Sequence, residues 1–376
     1  MPVFNVVFWS LVVTLGTLYI GYYLLCLYLS EKKSLKIEKD PKFAPKISII
    51  IPAWNEEKTI EGKIKNTLEL NYPKTPEIIV IDDGTDDKTN EIARKFKGVK
   101  LITQKQRTGK AVALNRVFKL CKGDLVLITD ADSRLEKDVL LKSVPYFSDK
   151  SVGAITGRQS IPNASETTTT KIEKNYRNFF YLIRQAESIL DSTFIFDGPF
   201  MIIRRDLLED IHGDSVADDS EIALRVRKKG YRTLSLKGVN YIEYASRKIK
   251  DRTKRKQRRA QGLIQIMTRF FGTFFLNPKY GWFGMFIFPV EFFMHVISPI
   301  LILMVILTIP FLPLNLIGLI SALILLILLI PKSRSIFLTF IHSQYACLKG
   351  MVGYFLKGPS NKWEQITDTR RYEEGV

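Results

Sequence analysis

The chain has 376 residues, with 56 Lys and Arg against 38 Asp and Glu, and a net charge of +18. Hydrophobic residues at 46% with 25% charged exclude wholesale disorder. Three scattered cysteines (Cys26, Cys121, Cys347), with no C-x-x-C pair, exclude a disulfide scaffold and a cysteine-type zinc site.

Residues 2–30 carry no charge and are long enough to cross a ~30 Å hydrocarbon core, which takes ~20 helical residues. A cleaved signal peptide would want a basic start and a small-residue cleavage site. Neither is present, so a transmembrane helix is predicted. Lysines follow at once (Lys32, Lys33, Lys36, Lys39, Lys42, Lys46). The positive-inside rule then puts the N-terminus outside and the next domain in the cytoplasm.

Residues 46–160 alternate short apolar runs with helical stretches. Runs at 47–51, 77–82, 99–103, 124–130 and 152–156 read as strands buried on both faces. Residues 56–70, 86–97, 109–121 and 136–146 read as helices. This order predicts an α/β domain: a doubly wound, mainly parallel sheet with helices on both faces. Ligands bind at the carboxyl ends of such strands. There the sequence places PAWNEE (52–57), DDGTDD (82–87) and Asp130-Ala131-Asp132. No G-x-G-x-x-G follows the first strand and no P-loop motif is present.

Asp130 and Asp132 are hard oxygen donors suited to Mg²⁺ or Mn²⁺ shared with a substrate's phosphates. As an alternative, one acid caps the 136–146 helix and the other is solvated. In DDGTDD, Asp86 reads as a helix cap and Asp83 as a ligand-facing acid. Gly109-Lys110 opens a helix after a basic loop, which suits phosphate or an ordinary solvated loop. Asp218 and Asp219 start a helix; they are either a cap with dipole pairing or the site of a general base. Residues 247–259 hold nine basic side chains and one acid. A juxtamembrane helix on anionic headgroups accounts for most of them, with one or two arginines left to face a diphosphate. Nucleic-acid binding is the competing reading of this run. The Asn163 sequon falls in the domain assigned to the cytoplasm and reads as inert.

The uncharged run 296–331 would make a single helix of about 54 Å, too long for one crossing, and Pro310 and Pro313 interrupt it. A hairpin over 282–332 is predicted. Glu291 and His295 near its start are a buried functional pair or headgroup-level residues. Residues 335–357 span the membrane or lie in its interface, and the basic tail (Lys357, Lys362, Arg370, Arg371) favours the interface.

In order, these motifs resemble the membrane-embedded branch of the family 2 glycosyltransferases, with the GT-A fold. The resemblance covers residues 46–265. It rests on Pro52-Ala53-Trp54-Asn55-Glu56, DDGTDD, GKAVALN (109–115), Asp130-x-Asp132, FDGPFMIIRR (196–205) and Ala217-Asp218-Asp219 where the family has [TE]-E-D. Arg255 and Arg258 match the (Q/R)-x-x-R-W of ceramide glucosyltransferases. Arg259 stands where the hyaluronan, cellulose and poly-N-acetylglucosamine synthases have Trp. The resemblance implies the following roles. Pro52, Ala53, Asn55 and Glu56 would line a nucleotide cleft, and Asp83 would meet the base or ribose. Asp132, with Asp130, would hold Mg²⁺ or Mn²⁺. Lys110, Arg255 and Arg258 would face the diphosphate. Asp219, beside Asp218, would be the base of an inverting transfer.

The expected organisation is a transmembrane helix (1–30), a cytoplasmic catalytic domain (31–245), basic and aromatic interfacial helices (246–281), a transmembrane hairpin (282–332), and a third transmembrane or interfacial helix with a cytoplasmic tail (333–376). The expected setting is the cell membrane. The expected partners are a UDP- or GDP-linked sugar and a lipid or lipid-linked acceptor, with no nucleic acid. The alternatives are a processive polysaccharide synthase and a non-catalytic nucleotide-sugar-binding scaffold. Aromatic residues at 171–190 and 263–283 either guide the lipid or serve as packing surface.

Overall fold

The computed structural model describes residues 2–358 and 367–370; Lys362 and Arg371 of the basic tail lie outside them. The β-branched runs form one eight-stranded sheet. Its strands are Ile47–Ala53 (β1), Glu77–Asp82 (β2), Val99–Thr103 (β3), Leu125–Ile128 (β4), Arg134–Leu135 (β5), Val152–Ser160 (β6), Met201–Arg204 (β7) and Arg232–Ile242 (β8). Their order is β3-β2-β1-β4-β7-β6-β8-β5. The first four are parallel. β7 runs antiparallel to β4 and β6, β6 pairs parallel with β8, and β5 is an antiparallel edge.

Alternation along each strand feeds two cores. Ile49, Ile51, Ile78, Val80, Leu125 and Leu127 face one side, under the helices Ile60–Leu68 and Val139–Ser143. Ile50, Ile79, Ile81, Val126 and Ile128 face the other, under Lys110–Phe118 and Asp218–Lys228. The second core continues into Leu263, Met267, Phe270, Phe274, Phe283 and Phe288. The Phe-rich segment is therefore packing surface joining the sheet to the apolar helices.

Two expected helices are shorter than their apolar pattern. The one expected over 86–97 is Thr89–Arg94. Asp86 does not cap it: the Asp87 carboxylate accepts the Thr89 N–H at 2.9 Å. The one expected over 136–146 ends as an α-helix at Ser143 and tightens into a 3₁₀ turn through Pro145. Asn163 is buried, its amide bonded in both directions to the Ala245 backbone.

Val3–Lys32 and Phe283–Phe311 are each long and apolar enough to cross a membrane. The predicted break falls at a 3₁₀ turn, Ile309–Phe311, and at Pro313, which precedes the Leu314–Leu329 helix. That helix meets the next, Pro331–Lys357, at 112°. The pair counts as a third crossing only if the bend is part of one span. Pro331–Lys357 packs along Ile249–Arg269. Glu291 and His295 lie within the Phe283–Phe311 helix. Both are buried and paired at 3.1 Å.

Candidate active site

The chain leaves β1 towards β2 and β3, then returns to β4 on the other side of β1. Neighbouring strand ends diverge there and open a crevice at their carboxyl ends. Pro52 and Ala53 close β1 on one side of it, and Asp130, Ala131 and Asp132 follow β4 on the other. The Asp218–Lys228 helix points its start into the crevice, so Asp218 and Asp219 sit where a helix dipole favours negative charge. The Ile249–Arg269 helix closes the remaining side. A Cβ on its Gly262 would come within 3.0 Å of Ala217, so its backbone presses directly on the start of the Asp218 helix.

The cleft so formed holds about 190 Å³. It brings together Pro52, Ala53, Glu56, Asp83, Lys110, Asp130, Asp132, Asp218, Asp219, Arg255 and Arg258. Asn55 is the exception among the sequence candidates. It adopts φ 54° and ties two loops: its N–H donates to Thr85 Oγ1 and its Oδ1 accepts from the Asp86 N–H. Asp83 borders the cleft, but its carboxylate accepts the Thr108 and Gly109 N–H groups, each at 2.8 Å. It thus holds the entrance to the Lys110–Phe118 helix.

Lys110 does not point at open space. Its ammonium lies 2.8 Å from Asp130 and 3.2 Å from Asp218. Burial opposes its charge, yet Asp130, Asp218 and Asp219 hold it above the usual lysine range. Burial likewise opposes the Asp130 carboxylate, and Lys110 holds it below its usual range. Gly198 leaves room for this pair, since a Cβ there would stand 3.0 Å from both Asp130 Oδ2 and Lys110 Nζ. The paired Arg204 and Arg205 that follow bind backbone carbonyls at Phe147, Asp149, Val152 and Gly123 and do not line the cleft.

Asp132 is flanked by two guanidinium groups, Arg255 at 3.9 Å and Arg370 at 4.0 Å. Arg255 also pairs with Glu243 at 2.8 Å. Asp219 has a different environment: half-buried, with its Oδ1 accepting the Ser220 N–H. Burial, with Asp218 alongside, pushes its carboxyl up to about 7. Arg258 is pushed down to about 10 by burial and by Arg255 and Arg259.

Three features escaped the sequence. Arg370, from the tail, forms a two-point ion pair with buried Glu56. Asp368 beside it accepts the Arg247 N–H. No local signal marks so long a return. Arg107 lies over the Trp54 ring at 3.4 Å, a cation–π contact at the cleft wall. The basic run also faces inward more than expected. Arg252, Arg255, Lys256 and Arg259 follow the i, i+3, i+4, i+7 spacing of a buried stripe, and all four line the cleft. Lys248, Lys250 and Lys254 are exposed. That spacing was the available signal.

The donor set fits a hard divalent cation: oxygen only, centred on Asp132. Among the described residues no three His, Cys, Asp or Glu converge to hold a metal alone. An ion there would complete its shell with water and substrate phosphate.

The cleft meets a second cavity of about 840 Å³ at Lys256, Arg259 and Leu263. Its other walls come from Tyr19, Tyr23, Tyr176, Phe179, Phe180 and the surrounding apolar helices.

A crevice at the switch point of a mostly parallel sheet, lined with aspartates, defines a GT-A-like α/β domain. Residues 48–212 match the Glycosyl transferase family 2 model, so the chain carries a family 2 glycosyltransferase domain. "Probable glycosyltransferase YdaM" of Bacillus subtilis (strain 168) is 29% identical over 278 residues, 70% of this chain and 66% of that protein. "Beta-monoglucosyldiacylglycerol synthase" of Nostoc sp. (strain PCC 7120 / SAG 25.82 / UTEX 2576) is 31% identical over 192 residues, 48% of this chain and 41% of that protein. The chain thus spans less than two thirds of the length of these relatives. The mannosyltransferase PcManGT from Pyrobaculum calidifontis, solved with GDP-Man and Mn²⁺, shares the fold with TM-score 0.80 at 24% identity, over 94% of this chain and 99% of that one.

Proposed function

We propose that the protein is a membrane-bound, inverting glycosyltransferase that moves a hexose from a nucleoside-diphosphate sugar to a lipid acceptor at the cytoplasmic membrane face. One observation carries this reading: Asp132 and Asp219 line a single cleft that shares Lys256, Arg259 and Leu263 with a large cavity walled by apolar helices. The glucosyldiacylglycerol-synthase relative supports a lipid acceptor, and the fold shared with a GDP-Man- and Mn²⁺-bound enzyme supports a metal-assisted nucleotide-sugar donor.

In this mechanism Asp132, with Asp130 beside it, would hold Mg²⁺ or Mn²⁺. Held there, such an ion would supply positive charge to offset that of the departing diphosphate. Arg255 and Arg258 add fixed positive charge at the same place, which costs no reorganisation during the reaction. Lys110 keeps Asp130 and Asp218 in position. Asp219 takes the acceptor hydroxyl's proton as the oxygen attacks the anomeric carbon. The bond to the diphosphate oxygen breaks, and the anomeric centre inverts. A carboxyl that titrates near neutrality is matched to that task, because it is about half deprotonated at pH 7, mostly so by pH 8, and still basic.

The test is a thermal-shift panel of UDP- and GDP-sugars with Mn²⁺, followed by transfer to diacylglycerol and to a total lipid extract. The expected product is a lipid carrying one hexose, and a ladder of sugars would favour polymer synthesis instead. Asp219→Asn should reduce transfer by about two to four orders of magnitude, the usual worth of a general base. It should leave nucleotide binding intact. Equal loss of both would sink the base assignment.

A further inference from the structure

Five cationic side chains share two carboxylates behind the cleft, and two of the five, Lys256 and Arg259, also line the apolar cavity. Arg177, Arg184, Arg252, Lys256 and Arg259 make their ion pairs, among the described residues, with Glu173 and Asp197 at 2.5–3.3 Å. Four of the five are more than nine-tenths buried. The Lys256 ammonium has no hydrogen bond there, and neither does Arg252 Nη2. Lys256 rests instead over the Tyr176 ring, 2.6 Å from its centroid. Buried positive charge without a matching anion is costly, and a cation–π contact repays only a small part of that cost.

The donor's diphosphate does not answer this surplus. Lys110, Arg255 and Arg258 already serve the aspartate end of the cleft, paired with or facing Asp130, Asp132, Asp218 and Glu243. Lys256 and Arg259 are placed differently, because they line both the cleft and the 840 Å³ cavity. A ligand that puts an anion on them has its apolar part in the cavity and its far end in the cleft with Asp219. That ligand is an amphiphile with a negatively charged head.

We propose that the acceptor lipid carries a phosphate in its headgroup and that Lys256 and Arg259 hold this phosphate while the acceptor oxygen faces Asp219. The proposal rests on the lipid-acceptor reading above and narrows it to an anionic lipid. Lys256 shares Glu173 with Arg177 and Arg252, and a phosphate oxygen placed on it supplies the hydrogen-bond acceptor that the ammonium lacks.

The test uses the full-length protein in a neutral detergent, with hexadecyl phosphate, hexadecanol and inorganic phosphate as probes and binding read by thermophoresis. Hexadecyl phosphate should bind at least about tenfold more tightly than hexadecanol, a difference of ~1.4 kcal/mol. Inorganic phosphate should not saturate the site. Lys256→Met should erase the preference for the phosphate head, Lys256→Arg should keep it, and Arg259→Gln should weaken it. The retained binding of Lys256→Arg shows that the position, rather than a folding defect, is being read. Equal binding of hexadecanol, an unchanged Lys256→Met, or tight binding of inorganic phosphate by itself would each overturn the proposal. The lipid-acceptor reading fails separately: the hexadecyl phosphate preference would stand while no lipid becomes glycosylated.

Discussion

At the scale of single residues, the site gives two neighbouring aspartates different surroundings. Asp218 lies 3.2 Å from the Lys110 ammonium, so its charge is compensated. Asp219 has burial and the Asp218 charge against it and titrates near 7. A base must be deprotonated to act, so kcat/KM should rise with pH through about 7 and level off above it. Asp218→Asn removes the like charge and should move that rise to lower pH, which a pH–rate profile would read directly. An unmoved profile would mean that burial alone sets the Asp219 value. The aspartates themselves were legible in the sequence, because each stands at a strand or helix end within a short motif. The resemblance singled out Asp219, but the difference in their surroundings was not legible. It depends on Lys110, which approaches from a different helix, and no spacing encodes that 2.8 Å contact with Asp130.

At the scale of elements, close approach and inverted amphipathicity build the cleft. Gly198 admits Asp130 and Lys110 side by side. Gly198→Ala should lower kcat more than tenfold with little change in thermal midpoint, because the strain falls on one ion pair and not on the core. The Ile249–Arg269 helix keeps its stripe spacing but fills its first turns with Arg and Lys, and only further on with Leu263, Ile266 and Met267. By charge alone that run looks like a solvated or headgroup-facing surface. By period it is an inward face, and the structure follows the period. Among the tail's described contacts, Arg370 with Glu56 is the buried two-point ion pair. Arg370→Ala strands Glu56, a change that costs ~3–5 kcal/mol when a buried charge loses its partner. Faster hydrogen exchange at residues 367–370, without global unfolding, is the expected result. Adding Glu56→Gln should restore overall stability while the tail stays loose.

At the scale of the molecule, the aromatic core that runs from Val126 and Ile128 through Phe274 to Phe288 welds the sheet domain to the apolar helices. The lysines after residue 31 predict an outside N-terminus. A cysteine replacing Asn5 in an otherwise cysteine-free chain should react with an impermeant maleimide in intact cells, and one replacing Lys36 only after lysis. The opposite pattern would invert the topology. The sequence by itself determined the α/β alternation, the strand-end acids, the long uncharged runs and the proline break between them, because each is written in a local period or a short motif. The tertiary structure alone decided which acid is neutralised and which stays basic, the burial of Glu291 with His295, the return of Arg370 to Glu56, and the meeting of a charged cleft with an apolar cavity at Lys256. Glu291 and His295 are one helical turn apart and only their burial is non-local; the other outcomes are contacts between residues tens to hundreds of positions apart, and all their energies depend on burial that no local window of sequence contains.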